Sequence, residues 1–207
     1  MLPSLEIQRI FRDPPVLPTR RLILRRMLKT DYKDMYEYAS QSRVTRYLLW
    51  DEHDSEAYTC RYLQYIQSRY RSGEFFDWAI VLKDPENPDN PSPRGLAGKG
   101  KMIGTCGFTR FHYEHRAAEI GYVLNPAYWG MGLAPEAVRM VLHFGFTELR
   151  LHRIEARYME GNTASRRVME KVGMQFEGIA RDSMFVKGSY VSVGTCAILQ
   201  EDYFGKR

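Results

Sequence analysis

The chain has 207 residues, 44% of them apolar and 13% aromatic, which suits one domain with a real core, or one domain with an extension. Its 30 Lys and Arg against 25 Asp and Glu give a net charge of +5, compatible with a polyanionic ligand or an acidic partner but too weak to imply nucleic acid alone. No apolar run reaches transmembrane length, the charged opening is not a signal peptide, and Cys60, Cys106 and Cys196 form neither a metal-site spacing nor a disulfide framework, so a soluble cytoplasmic protein is expected.

Residues 1–18 read as an arm, because Asp13-Pro14-Pro15 and Pro18 break regular structure, and 19–207 as a single domain. Leu22–Arg25 is a first strand. Thr30 is placed to cap a helix over 31–41, and Ser55 a second one, with Tyr58, Tyr62, Tyr65 and Ile66 at helical spacing and Gly73 at its end. Between them Tyr47-Leu48-Leu49-Trp50-Asp51 is too apolar for a solvated loop; it is either a joint packed on the core or a substrate-pocket wall holding Tyr47, Trp50 and Asp51. Residues 75–82 form a strand, 84–101 an exposed hairpin loop rich in proline and glycine, 102–111 the returning strand and 117–124 the next. A helix from Pro135 to about Leu149 carries Val138, Val141, Leu142, Gly145 and Leu149 on one face. Ile154, Ala156 and Tyr158 alternate with charged residues as a strand, Asn162 caps a short helix to Lys171, and two or three strands over 175–199 finish the chain. The order describes a mixed α/β sheet covered by helices.

The stretch from Ala118 to Leu149 organises the rest. A strand runs into Tyr128-Trp129-Gly130-Met131-Gly132-Leu133-Ala134 and then into a helix. A loop entering a helix leaves N–H groups without intrahelical partners, the macrodipole favours negative charge there, and glycines let the backbone approach a bulky anion. A phosphate-bearing ligand is therefore expected at this helix start. Two similar patterns do not fit. Gly95–Met102 nearly matches a P-loop, but Met102 replaces the magnesium-binding hydroxyl and the stretch precedes a strand. The pair Gly130 and Gly132 lacks the third glycine of a dinucleotide fingerprint, since Pro135 stands there.

Ala118-Glu119-Ile120-Gly121-Tyr122, the Tyr128–Ala137 run, Leu151–Ala156 and Asn162–Met174 together resemble the acetyl-CoA motifs of the GNAT acetyltransferase superfamily, in particular the branch of ribosomal-protein N-terminal acetyltransferases. The opening 19–25 and the segment 177–190 also fit, so the resemblance spans about residues 19–200. It implies a mixed, mostly antiparallel sheet of about seven strands with about four helices, and a splay between two central parallel strands that admits the pantetheine arm. It implies acetyl-CoA as co-substrate, no metal, and a primary amine as acceptor: a protein N-terminus or a small molecule. The superfamily's loop pattern falls on Trp129, Gly132 and Ala134; Trp129 departs from it, and proline at Pro135 makes a contact there doubtful. Gly130, Met131, Gly132, Leu133 and Ala134 would grip the pyrophosphate by main-chain N–H groups, and Tyr122, Val123 and Leu124 would face the pantetheine and the thioester oxygen. Dimers are common in the superfamily, so a homodimer is allowed, whereas no membrane or nucleic-acid partner is implied.

Acetyl transfer needs a deprotonated amine, a held oxyanion and a protonated leaving thiolate. Glu119, just before the implied splay, is the candidate base, with an ion pair to a nearby arginine as the alternative. Asn162 either caps its helix, binds pantetheine, or does both. The resemblance implies that the Ser165 hydroxyl lies near the sulfur; the tyrosine many members use further along that helix is absent, with Met169 in its region. Cys106 reads as core filling rather than a nucleophile, and His112, Glu114 and His115 have no strong metal spacing. A non-catalytic acyl-CoA sensor and a basic ribosome- or RNA-binding module are the rival functions.

Overall fold

The computed structural model describes residues 2–83 and 100–205; apart from Gly100, Lys101 and Met102, the expected hairpin loop and the P-loop-like stretch lie outside the described residues. Eight strands form one sheet in the order β1-β2-β3-β4-β5-β6-β8-β7. They are β1 (Leu17–Pro18), β2 (Leu22–Arg25), β3 (Phe76–Leu82), β4 (Met102–His112), β5 (Ala117–Leu124), β6 (Arg153–Met159), β7 (Gln175–Val186) and β8 (Ser189–Leu199). All neighbours are antiparallel except β5 and β6. The seven helices among the described residues are α1 (Ser4–Arg12), α2 (Tyr32–Ala39), α3 (Ser42–Thr45), α4 (Glu56–Ser72), α5 (Leu133–Thr147), α6 (Thr163–Lys171) and α7 (Gln200–Phe204).

Alternation along the strands supplies two apolar faces, and each is covered. On one, Trp78, Ile80, Cys106, Phe108 and Ile120 meet Val138, Val141 and Leu142 of α5, Met169 of α6, and Ile7 and Phe11 of α1. On the other, Ala79, Val81 and Met102 meet Met35 and Tyr38 of α2, Val44 of α3, and Leu63, Ile66 and Tyr70 of α4. The apolar stripe read along α5 is buried throughout.

Two local expectations are corrected and a third is narrowed. The supposed arm is helical, because Ile7 and Phe11 at i,i+4 share a face and both are fully buried, Phe11 edge-on to Phe76 and Trp78; the prolines that suggested an arm follow the helix rather than interrupt it. The entry to α2 is organised by Asp31 rather than Thr30: its carboxylate accepts from the Leu28 N–H at 2.7 Å and takes a two-pronged bond from Arg25 at 2.8 and 2.9 Å. Of the two or three strands expected over 175–199 there are two, because residues 175–186 run as one strand with an irregularity between Ala180 and Met184; Asp182 there has φ 46° and its N–H bonds Ser192 Oγ.

Two other signals hold as expected. Ser55 accepts from the Tyr58 N–H, and Gly73 ends α4 in the left-handed region at φ 71°. No helix among the described residues is long and apolar enough to cross a membrane.

A candidate active site at the strand splay

The parallel pair β5 and β6 is joined by only four register positions, from Ala117↔Arg153 to Ile120↔Ala156. Beyond them β5 stays with β4 as far as Leu124↔Gly104, and β6 stays with β8 as far as Met159↔Val193. The two strands therefore part, and a gap opens between Gly121–Leu124 and Arg157–Met159. The Asn125 N–H bonds the Ile103 carbonyl on the β4 side, so strand alternation turns the main-chain groups of Tyr122 and Leu124 toward the gap. The Leu124 carbonyl is already taken, by the Trp129 indole N–H at 2.7 Å. Trp129 is 49% exposed, so its ring stands at the surface as a brace on the strand end.

A cavity of about 940 Å³ fills this gap and spreads beneath α2 and α4. At one end lies the start of α5. Gly130 and Gly132 both take positive φ, 79° and 72°, and Gly132 is the residue before the first turn, where a glycine cannot cap with a side chain. Gly130, Met131 and Gly132 are exposed. The first-turn N–H groups of a 15-residue helix thus face a lined cavity without a side-chain cap. Pro135 sits in that first turn, two residues after the helix begins, where its missing N–H is harmless. Glu136 anchors the same turn: it accepts from Thr19 Oγ1 at 2.6 Å and from the Arg21 N–H and Nε, each at 2.7 Å. Burial alone would raise this carboxyl; the bonds from Thr19 and Arg21 outweigh that and hold it below its ordinary value. Arg21 Nη1 also donates to the Met131 carbonyl, so β2 holds the glycine loop in place.

Across the gap, Asn162 caps α6 by accepting the Ser165 N–H at 3.1 Å, and it also lines the cavity. The Tyr122 hydroxyl reaches over from β5 and lies 2.9 Å from both the Ser165 carbonyl and Ser165 Oγ. Burial, the largest cause, pushes the Tyr122 phenol up against the lowering effect of the Ser165 bond, so it stays protonated at neutral pH and can donate. This hydroxyl pair could not be read from the sequence, where Tyr122 was assigned only main-chain contacts. Met169 is buried in the core beneath it.

Glu119 lies on the cavity wall with 13% of its side chain exposed, and its Oε2 is 2.8 Å from Arg157 Nη2. The arginine partner envisaged as the alternative to a catalytic role is therefore present. Tyr47 and Trp50 line the cavity, and Tyr47 lies against Gly161, whose φ of 94° turns the β6–α6 loop. Asp51 does not. Its side chain is 83% exposed and faces Lys187 at 3.6 Å, because it stands at the tip of the segment whose aromatic residues turn inward. Lys187, in the β7–β8 turn, also donates to the Thr45 carbonyl at 3.0 Å, so that hairpin leans over the acceptor side. Cys106 is fully buried in the core, with its thiol pushed well up by burial and then by Asp77. Among the described residues no three His, Cys, Asp or Glu side chains gather as a metal site.

Two buried polar groups on this cavity are not signalled by the sequence. Asp77 lies on β3 and Tyr158 on β6, and Asp77 Oδ1 and the Tyr158 hydroxyl have no hydrogen-bond partner among the described residues. Each sits in a strand otherwise rich in core residues, which hid it.

Comparison with known proteins agrees with this geometry. The model of the acetyltransferase (GNAT) domain matches residues 21–175. An uncharacterized N-acetyltransferase, p20, of Bacillus licheniformis is 32% identical over 189 residues, covering 91% of this chain and 98% of that protein. Among solved structures, the ribosomal L7/L12 alpha-N-protein acetyltransferase RimL in complex with coenzyme A superposes with a TM-score of 0.70 at 17% identity, covering 89% of this chain and 98% of that one. The spermidine N-acetyltransferase of Vibrio cholerae in complex with coenzyme A and spermine superposes at 0.69 with 21% identity, covering 90% and 100%. At such identities these two speak for the fold. With the family's model spanning most of its length and a full-length relative at 32%, the chain belongs to the GNAT family and is an N-acetyltransferase.

Proposed function

We propose that the chain transfers an acetyl group from acetyl-CoA directly to a primary amine carrying a single positive charge, a peptide N-terminus or a small monoamine, within a ternary complex. The pyrophosphate is received by the main-chain N–H groups of Gly130 to Ala134 at the start of α5, and Arg167 and Lys171 on the cavity rim suit the outlying phosphate. The pantetheine arm enters the gap beside Tyr122, Val123 and Leu124, with Asn162 opposite. The thioester oxygen faces the freed N–H groups of β5, and Ser165, joined to Tyr122, protonates the departing thiolate.

The observation that carries the acceptor class is the charge on the cavity wall. Its described acids are Asp77 and Glu119, and Glu119 is compensated by Arg157. Arg43 and Arg46 add further cations to the same lining. A polyamine needs several carboxylates and would meet these guanidiniums, whereas one ammonium on an apolar or peptide body meets Tyr47, Leu48, Leu49 and Trp50. Three free cysteines suit a reducing cytoplasm.

The test is calorimetry with acetyl-CoA, followed by thiol release against peptide N-termini, monoamines and spermidine. Binding, with kcat/KM for the best monocationic amine at least about tenfold above that for spermidine, is the expected result. Spermidine as the best acceptor would overturn the acceptor class. Binding without thiol release from any amine would leave a sensor, and no heat at all would remove the co-substrate.

A further inference from the structure

Resting on the acetyl-transfer reading above, we infer that Asp77, not Glu119, accepts the proton of the acceptor's ammonium. Its position in the sheet makes the case. Register places Asp77 of β3 beside Gly107 of β4, and Gly107 beside Gly121 of β5, so the three occupy one row across the sheet whose two ends, Asp77 and Gly121, line the cavity. Gly121 is the first residue of β5 past the last pairing with β6. Neither glycine carries a side chain, and neither position has room for one. A Cβ on Gly107 would fall 2.3 Å from the Phe76 carbonyl oxygen and 2.6 Å from Asp77 Oδ1, and one on Gly121 would fall 2.8 Å from Thr109 Cγ2. The Asp77 carboxyl thus leans over Gly107, the space a side chain there would take, toward Gly121 at the edge of the gap, with Thr109 Cγ2 beside it. Two interstrand steps span about 10 Å, which a carboxyl side chain, one water and an amine nitrogen at about 2.8 Å per hydrogen bond fill end to end.

The carboxyl itself is unfinished. The residue keeps some exposure to the cavity, while Oδ1 lies buried with no partner among the described residues, a costly arrangement that a proton or a donor relieves. The groups facing Asp77 are Tyr38 of α2, Tyr62 and Tyr70 of α4, and Thr105 of β4. All are neutral at pH 7, and Tyr70 is already spent donating to the Asp77 carbonyl at 2.6 Å. Among the described residues no guanidinium pairs with Asp77 as Arg157 pairs with Glu119. Burial, the largest cause, therefore lifts the Asp77 carboxyl to about 7, against hydrogen bonds from the Trp78 main chain and the Thr105 side chain. A base poised there exchanges protons at working pH.

The step balances as follows. The ammonium gives one proton, through the water, to the Asp77 carboxylate. The freed lone pair forms the C–N bond to the thioester carbon as the carbonyl π pair moves onto oxygen. That pair returns, the C–S bond breaks, and its electrons leave on sulfur. Ser165 protonates the sulfur and is itself restored, through Tyr122 and water, by the second proton from nitrogen. Asp77 then releases its proton to solvent. Ammonium and thioester become amide, thiol and one proton.

The experiment is the pH profile of kcat/KM from pH 5.5 to 9 for wild type, Asp77→Asn, Thr105→Val and Glu119→Gln, with acetyl-CoA affinity measured by calorimetry on each. The wild type should lose activity as pH falls through about 7. Asp77→Asn should lose about 100-fold or more and show no such limb, at unchanged acetyl-CoA affinity. Thr105→Val removes one bond that lowers the carboxyl, so its limb should move to higher pH, and this variant answers the question even where Asp77→Asn does not fold. An unmoved limb in Thr105→Val, a folded Asp77→Asn within threefold of wild type, or a limb that disappears in Glu119→Gln instead would each overturn the assignment. Absent wild-type turnover would count against the transfer reading itself, whereas wild-type turnover with any of these three results counts only against Asp77.

Discussion

Replacing Tyr122 by phenylalanine isolates one atom. The ring stays, and the hydroxyl that bridges β5 to α6 disappears, taking contacts of 2.9 Å to the Ser165 carbonyl and 2.9 Å to Ser165 Oγ. A neutral hydrogen bond contributes about 0.5–1.5 kcal/mol net, so the variant should lose about 1–2 kcal/mol. For a domain of this size that lowers Tm by about 2–8 °C. The effect on chemistry should be larger than folding alone accounts for. Ser165 Oγ would lose the partner that orients it and passes it protons, so kcat should fall about 10- to 100-fold, equivalent to about 1.4–2.7 kcal/mol. The KM for acetyl-CoA should stay within about threefold, since the glycine loop is untouched. The assay is thiol release followed with a chromogenic disulfide at saturating acetyl-CoA, beside thermal melts of the same samples. Ser165→Ala should show a similar loss, and the double variant should be no worse than the weaker single, because the two hydroxyls act as one unit. Wild-type kcat in Tyr122→Phe, at the expected Tm loss, would make the bridge structural only. Losses that multiply in the double variant would break the unit.

Two other perturbations test the scaffold. Phe11→Ala removes a fully buried ring that meets Phe76, Trp78 and Phe144 edge-on, and should cost about 3–5 kcal/mol by chemical denaturation; a loss below 1 kcal/mol would return α1 to the status of an appendage. Glu136→Gln should lower Tm at pH 7. The native carboxyl is held below its ordinary 4.5, so its contribution is complete above that value and fades as pH falls through the depressed one. The Tm gap between the two proteins should therefore close below about pH 4.5, and a gap that widens on acidification would contradict the assigned bonds.

Periodic segments and end signals were readable directly. The limits of β5, the buried stripe of α5, the caps at Ser55 and Asn162 and the stop at Gly73 all depend on residues close in sequence. What escaped depends on distant partners. Ile7 and Phe11 look like isolated apolar residues until α5 and β3 are packed against them. Arg181-Asp182-Ser183 resembles a turn between two strands, yet Ser192 on the neighbouring strand holds it inside one. At the site, the glycine loop before α5 was legible because its glycines, its proline and the helix start are consecutive. The places of two acids were not. Asp51 follows an apolar run that folds inward and is itself left at the tip, while Asp77 stands between aromatic residues in what reads as plain core and meets the cavity only through the register of three strands. Tyr122 falls on β5 as its sequence suggests, but where its hydroxyl goes depends on how far β6 diverges.

That divergence has a consequence for the fold as a whole. Past Ile120 and Ala156 the two halves of the sheet no longer share a ladder, so, apart from the Leu124 carbonyl held by Trp129, the amides and carbonyls turned to the gap along both margins are left to solvent or to a guest. An amide-bearing chain lodged between them would stand in for the missing strand. Whatever fills the cleft would then be part of the architecture as well as cargo, and the protein should be harder to unfold when charged than when empty, in proportion to how tightly it holds its load.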